Sequence, residues 1–394
     1  MADNTEFQKE TETISEHTRI SSVLQHRKKI FIFFLCIVFI ILGILIHNLQ
    51  KFDDFDVKDS YERTDAAETS YIDFGGNLLK YSRDGAFYTE YDGDLIWNFT
   101  YEMANPRIDF CGNYILIYDL QGTQVSILTN TGFKQTIRTA MPIVDANIAS
   151  QGTVAILMQD GETGYIQICD EEGTMLASGE LHMKNSGYPM AIAISSTGER
   201  LMVSQLDVKA GDVKTTISFY DFGKTGEEQI DNIIATYSFS DQIIPEIAYV
   251  DGDRAVAFGD SEVILFQNNA KATIAKEIFV DGEVKSVFYD ERFFGTICGT
   301  TDEDGNYINQ MTVYTVGGFK RCQKTIDLSC SKAEFLSNHE ICLSNNKEVA
   351  IYTLQGIKKF AYTFETGIYK IIPGDSSRRY TFVEDGHTDV VRLK

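Results

Sequence analysis

Basic charge is scarce in this 394-residue sequence: 35 lysines and arginines face 57 aspartates and glutamates, for a net charge of −22. A field of that sign repels nucleic acid and other anionic polymers. It suits a soluble domain that stays monodisperse, holds cations loosely or meets a basic partner. Cysteine is also sparse. Six of the seven, Cys111, Cys169, Cys298, Cys322, Cys330 and Cys342, are scattered with no C-x-x-C pair, which argues against a disulfide framework. Buried free thiols are the expectation, with Cys322 and Cys330 close enough in sequence to warrant one disulfide test. The histidines beyond residue 50, His182, His339 and His387, stand alone, none at metal-ligand spacing. G-x-S-x-G, H-E-x-x-H and Walker-type loops are missing. No catalytic, cofactor-binding or metal-ligating residue is assigned, and an enzyme is not expected.

One long apolar run is present. Ile30 to Ile46 is uninterrupted, and His47, Asn48 and Leu49 follow. At about 1.5 Å of rise per residue, twenty positions reach roughly 30 Å, the hydrocarbon thickness of a bilayer. Residues 30–49 are therefore read as a single transmembrane helix in contact with the lipid bilayer. Arg27, Lys28 and Lys29 abut its start and Asp53, Asp54 and Asp56 follow its end, which places the N-terminus in the cytoplasm. A cleaved signal peptide is the rival reading, but its apolar region runs only about 7 to 15 residues. Residues 1–29 read as a polar, disordered tail and 50–69 as an acidic stalk. The tail carries five charges of each sign and residues 30–50 none, so the whole −22 falls on the extracytoplasmic part.

From residue 70 to 394 the pattern is short Val-, Ile-, Tyr-, Phe- and Thr-rich runs punctuated by Asp-Gly, Gly or Asn turns, such as Asp84-Gly85, Asp160-Gly161 and Asp385-Gly386. These are hairpin signals. The class is all-β. One strand-and-turn unit recurs with its turns ending at 93, 132, 173, 223, 269, 318 and 356, a period of about 44 residues. Pro106, Pro142, Pro189 and Pro245 each open the first strand of a unit, where a missing N–H breaks no ladder bond. Each unit thus has four strands, the middle two apolar on both faces and so buried on both. This is the blade of a β-propeller. Six full units span about 106 to 365, with three further strands at each end, so eight blades follow most directly and seven are the alternative. The strand Tyr71 to Phe74 is expected to complete the last blade. Two tandem β-sandwiches are the competing fold.

The stretch YSRDGAFYTEYDGDLIWNFTYEMANP (81 to 106), with Trp97-Asn98 and EM-x-x-P, resembles the start of an uncharacterised family of membrane-anchored proteins from Gram-positive anaerobes, domain of unknown function 5711. The segment from Pro142 to Ala155 agrees with it. The resemblance implies a propeller-like exported domain and no assigned activity.

Familiar propeller chemistries do not match. Trp97 is the only tryptophan, so WD repeats and tryptophan-docking repeats are absent as motifs. Ser82-Arg83-Asp84-Gly85 lacks a residue of the sialidase Asp box. Asp302, Asp304 and Asn306 alternate like calcium ligands, but Tyr307 and Val313 stand where a calcium loop needs Gly and Glu, and a polar hairpin tip is the reading. Two functions survive. The first is a binding or scaffolding module at the bacterial cell envelope, held at the membrane and meeting a protein or a cell-wall glycan through loops such as 205–215 and 299–310. The alternative is an envelope carbohydrate hydrolase or lyase with its site at the channel mouth. Three or more inward carboxylates, or a metal at the axis, would favour the alternative.

Overall fold

The computed structural model describes residues 33–36 and 50–394, apart from 67, 183–186, 253, 269–270 and 303. The chain forms two compact units, Met1–Lys51 and Phe52–Lys394. In the first, residues 33–36 are helical with Phe33, Phe34 and Leu35 exposed. The tail 1–29 and the rest of the expected membrane helix 30–49 lie outside the described residues. Among the described residues no helix is long and apolar enough to cross a membrane.

The second unit is eight four-stranded antiparallel sheets. Seven of them run in simple chain order over residues 70–100, 106–138, 143–182, 188–240, 246–279, 283–326 and 332–363. The eighth joins Ile368–Pro373, Arg379–Glu384 and His387–Leu393 to the far N-terminal strand Phe55–Glu62. The β-propeller thus has eight blades, numbered here 1 to 8 from residue 70. The proline-opened first strands and the apolar second and third strands fall where the repeat predicts them.

The apolar runs form sheets because both of their faces find a neighbour. Leu116, Ile117, Ile127 and Leu128 in the middle of blade 2 have no exposed surface, and each such burial stabilises by about 1.5 to 3 kcal/mol. Buried apolar residues collect into eight clusters, one between each pair of adjacent blades around the ring. Turn glycines enable the tight hairpins. Gly161 and Gly386 adopt φ of +57° and +78°, where a Cβ would be strained.

Ring closure differs from the sequence expectation. Ser70–Phe74 is the innermost strand of blade 1, and Phe55–Glu62, read as part of a stalk, is the outer strand of blade 8. Its register runs from Phe55 opposite Leu393 to Glu62 opposite His387. An edge strand that alternates apolar and charged residues is guarded against further pairing, and the same charges disguise it as linker. Phe55 packs edge-on to Tyr362 and Phe382 at centroid distances of 4.9 and 5.1 Å.

The seam between blades 8 and 1 has the smallest apolar cluster, Tyr71, Leu78, Ile372 and Val383, against nine to thirteen buried residues in the others. Polar contacts supplement it. Arg63, with 4% of its side chain exposed, pairs with Asp65 at 2.6 Å. Its terminal nitrogens donate to the carbonyls of His387 and Glu384 at 2.7 and 2.8 Å. Asp65 also accepts from Lys80 of blade 1 and from the Tyr71 hydroxyl.

Candidate functional site

The innermost strands enclose a channel of about 1500 Å³ lined by all eight blades. Its wall carries eight carboxylates against Lys332, Lys370 and His339, so acidic groups outnumber basic ones along the lumen. Several of these carboxylates bridge neighbouring blades. Asp109 of blade 2 accepts the backbone N–H of Ile148 in blade 3 at 2.8 Å. Asp145 of blade 3 accepts that of Ile192 in blade 4 at 3.0 Å, and also the Tyr118 hydroxyl. Glu246 of blade 5 accepts from Tyr289 of blade 6 at 3.0 Å, and Glu334 of blade 7 pairs with Lys370 of blade 8 at 2.7 Å. Asp290 contacts His339 at 2.7 Å between blades 6 and 7.

The electrostatics follow from this setting. Burial pushes the Asp109 carboxyl up to about 7, against the amide bonds that favour its anion, and neighbouring Asp145 adds to the rise. Burial likewise raises Asp145 and Glu246. Glu334 is the opposite case. Burial raises it, but the Lys370 and Lys332 charges outweigh that and hold it below the usual carboxylate range. Tyr289, held well above the usual phenol range by burial and by Glu246, is nevertheless 39% exposed because its open side is the lumen. Phe110 and Tyr369, 49% and 45% exposed, add aromatic surface to the wall.

Because strands alternate in direction, the turns between second and third strands share one face of the ring with the blade-to-blade links. Phe55, where the closing strand begins, lies towards the other face, since its partner Leu393 is the distal end of a third strand. On the first face, blades 4 and 6 reach furthest. The expected loops 205–215 and 299–310 are strand extensions. Pairing in blade 4 continues to Lys209 opposite Asp212, and in blade 6 to Thr301 opposite Tyr307. Val208 and Tyr307 at their tips are 57% and 60% exposed.

The sequence candidates sort as follows. Asp302 accepts the backbone N–H groups of Asp304 and Asn306 at 3.0 and 2.8 Å, as a polar hairpin tip does. Ser82 to Gly85 forms another hairpin, in which Ser82 Oγ accepts from the Asp84 amide. Cys322 and Cys330 are free and belong to the same apolar cluster. The side chain of His182 is outside the described residues. His387 does not stand alone, contrary to the sequence reading: its Nε2 lies 3.7 Å from Glu384 and 3.6 Å from Asp389. The bridging aspartates were missed as well, although Pro106 and Pro142 each precede one by three residues.

One solved structure agrees with this architecture. Sqt1 from Chaetomium thermophilum superposes with a TM-score of 0.54 at 12% identity, over 86% of this chain and 100% of that one. The WD40 domain of Toxoplasma gondii coronin gives 0.45 at 13% identity over 87% and 88%, and that of Neurospora crassa Pan2 gives 0.46 at 9% over 73% and 88%. At such identities the likeness to Sqt1 concerns the fold alone. No curated protein matches the sequence. The match that reaches the sequence itself is to the family model described as "Family of unknown function (DUF5711)", over residues 48–393, and the chain belongs to that family.

Proposed function

We propose that this protein is a binding or scaffolding module of the bacterial cell envelope, anchored by residues 30–49 with its propeller outside the cytoplasm. Its partner is an extracytoplasmic protein with a basic surface. The observation that carries this reading is the paired extension of the blade 4 and blade 6 hairpins on the face opposite the start of the closing strand. That face carries the blade-to-blade links at one mouth of the channel, whose wall has eight carboxylates. Rigid strand extensions present side chains with little ordering cost on binding.

The test is capture from envelope extracts with the full chain and with a variant whose tips, 207–213 and 301–307, are replaced by two-residue turns. A partner retained by the first and lost by the second supports the proposal. Equal retention by both overturns it. Protease shaving of intact cells tests the orientation independently: degradation of the propeller is expected, and its protection would place it inside.

A second reading, a hydrolase or lyase acting on envelope carbohydrate at the channel mouth, draws support from three wall carboxylates, Asp109, Asp145 and Glu246, with Asp109 tuned to near neutrality. Against it, all three serve contacts between blades. Release of reducing ends from purified cell wall by the wild type, and none by Asp109→Asn, would establish it.

A further inference from the structure

The hairpin that closes the ring carries a donor set distinct from the channel. Glu384 ends the second strand of blade 8, Asp385-Gly386 makes the turn, and His387 and Asp389 lie in the third strand. Glu384 pairs with His387 across the hairpin, and Asp389 shares His387's face because side chains two apart in a strand point the same way. One oxygen or nitrogen from each of the three lies within 4.8 Å of the others. Glu384 and Asp389 are 7% and 6% exposed.

The histidine's orientation is informative. Its Nδ1 is 3.0 Å from the Asp385 carbonyl, which only accepts, so Nδ1 carries a proton. Nε2 is then turned towards two carboxylates 3.6 and 3.7 Å away. A histidine that donates one ring N–H to a backbone carbonyl and turns the other nitrogen to carboxylates is oriented as a metal ligand is. Metal–ligand bonds of about 2.0 to 2.2 Å place tetrahedral ligand atoms about 3.4 Å apart, close to the separations here.

We propose that Glu384, His387 and Asp389 bind one divalent transition-metal ion of the kind that takes nitrogen and oxygen ligands, with zinc as the probe, and that the ion locks the ring seam. The link to closure is direct. Ser60 of the closing strand donates to the other oxygen of Asp389 at 2.5 Å, and Arg63 grips the carbonyls of Glu384 and His387. An ion held by this hairpin therefore fixes the acceptors that the N-terminal strand uses. Metal that binds only the folded ring raises the folding constant about 100-fold at a free concentration 100 times its Kd.

The experiment is calorimetric titration of the EDTA-stripped full chain with zinc chloride, with cobalt as a spectroscopic stand-in. Saturation at one equivalent is expected, together with a rise in thermal midpoint and the intense visible bands of four-coordinate cobalt. His387→Ala and Asp389→Asn should each weaken binding beyond the 10- to 100-fold typical of an outer-shell residue. Asp302→Asn, in the calcium-like turn, should leave it unchanged. If His387→Ala fails to fold, Asp389→Asn decides, since its amide oxygen still accepts from Ser60. No saturable binding, or undiminished binding by the variant that folds, overturns the proposal and leaves the three side chains a polar cluster at the seam.

Discussion

The guanidinium of Arg63 donates to the main-chain carbonyl of Glu384, 321 residues later, at 2.8 Å. That bond joins the two ends of the propeller at the interface with the least apolar burial. Removing Arg63 leaves Asp65 and the freed carbonyls without their principal donor. Arg63→Ala should lower stability by about 3 to 5 kcal/mol. Arg63→Lys should recover only part of this, because one ammonium cannot serve Asp65 and the blade 8 hairpin together. Denaturant unfolding of the three proteins at pH 7 checks both statements.

The same seam dictates where a soluble form can begin. A chain starting at residue 70, as a stalk reading of 50–69 would recommend, lacks Phe55–Glu62 and Arg63 and leaves the third strand of blade 8 as an open edge. One starting at residue 50 keeps them. The shorter form should lose about 5 kcal/mol or more, from the Arg63 contacts and the rings of Phe52 and Phe55, and should associate through its edge. Size-exclusion chromatography and thermal unfolding of the pair would show it, and equal behaviour would contradict the assigned closure.

The repeat was legible because six of the first seven third strands are followed by a turn ending in glycine, and because Pro106, Pro142, Pro189 and Pro245 fall in phase with it. The closing strand was not. Its partner ladder lies some 330 residues away, and no local pattern distinguishes FDVKDSYE from a solvated linker. The channel wall was half-legible: Asp109 and Asp145 each stand three residues after a proline that opens a first strand. His387 is isolated from other histidines and from cysteines along the chain. Folded about the Asp385-Gly386 turn, E-x-x-H-x-D brings all three donors together.

Asp109 makes a prediction about pH. Its folded value, about 7, lies above the ordinary value of 3.8, so the native state holds a proton that the unfolded chain has released between those limits. By linkage, stability falls as pH rises through that window. The full loss is at most about 4 kcal/mol, less whatever water in the channel screens. Asp109→Asn keeps an oxygen for the Ile148 amide and removes the charge. It should match the wild type near pH 4 and exceed it by about 1 to 2 kcal/mol at pH 8, as measured by urea unfolding at both values. A variant less stable at pH 8 would mean that the anion is favoured by its amide donors.

Cys342 is 2% exposed, and burial pushes its thiol up to about 12. It is therefore neutral and sheltered at pH 8. A thiol reagent should leave Cys342 unlabelled in the native protein and label it only after unfolding, as read by mass spectrometry of the peptides.

Glu334 tests the opposite wall of the channel. Lys370 at 2.7 Å and Lys332 at 3.3 Å hold this lumen carboxyl below its ordinary range despite burial. A lowered value means that the anion stabilises the fold above the unfolded value of 4.5, and that this contribution is lost as pH falls through the native one. Lys370→Met fills the same space, removes the nearer cation and leaves Lys332 as the remaining partner. The variant should be less stable than the wild type by about 1 to 3 kcal/mol at pH 7. The gap should narrow below about pH 4.5, where a neutral Glu334 no longer needs a cation. A gap that stays constant with pH would show that Lys370 acts through packing of its alkyl stem rather than through its charge.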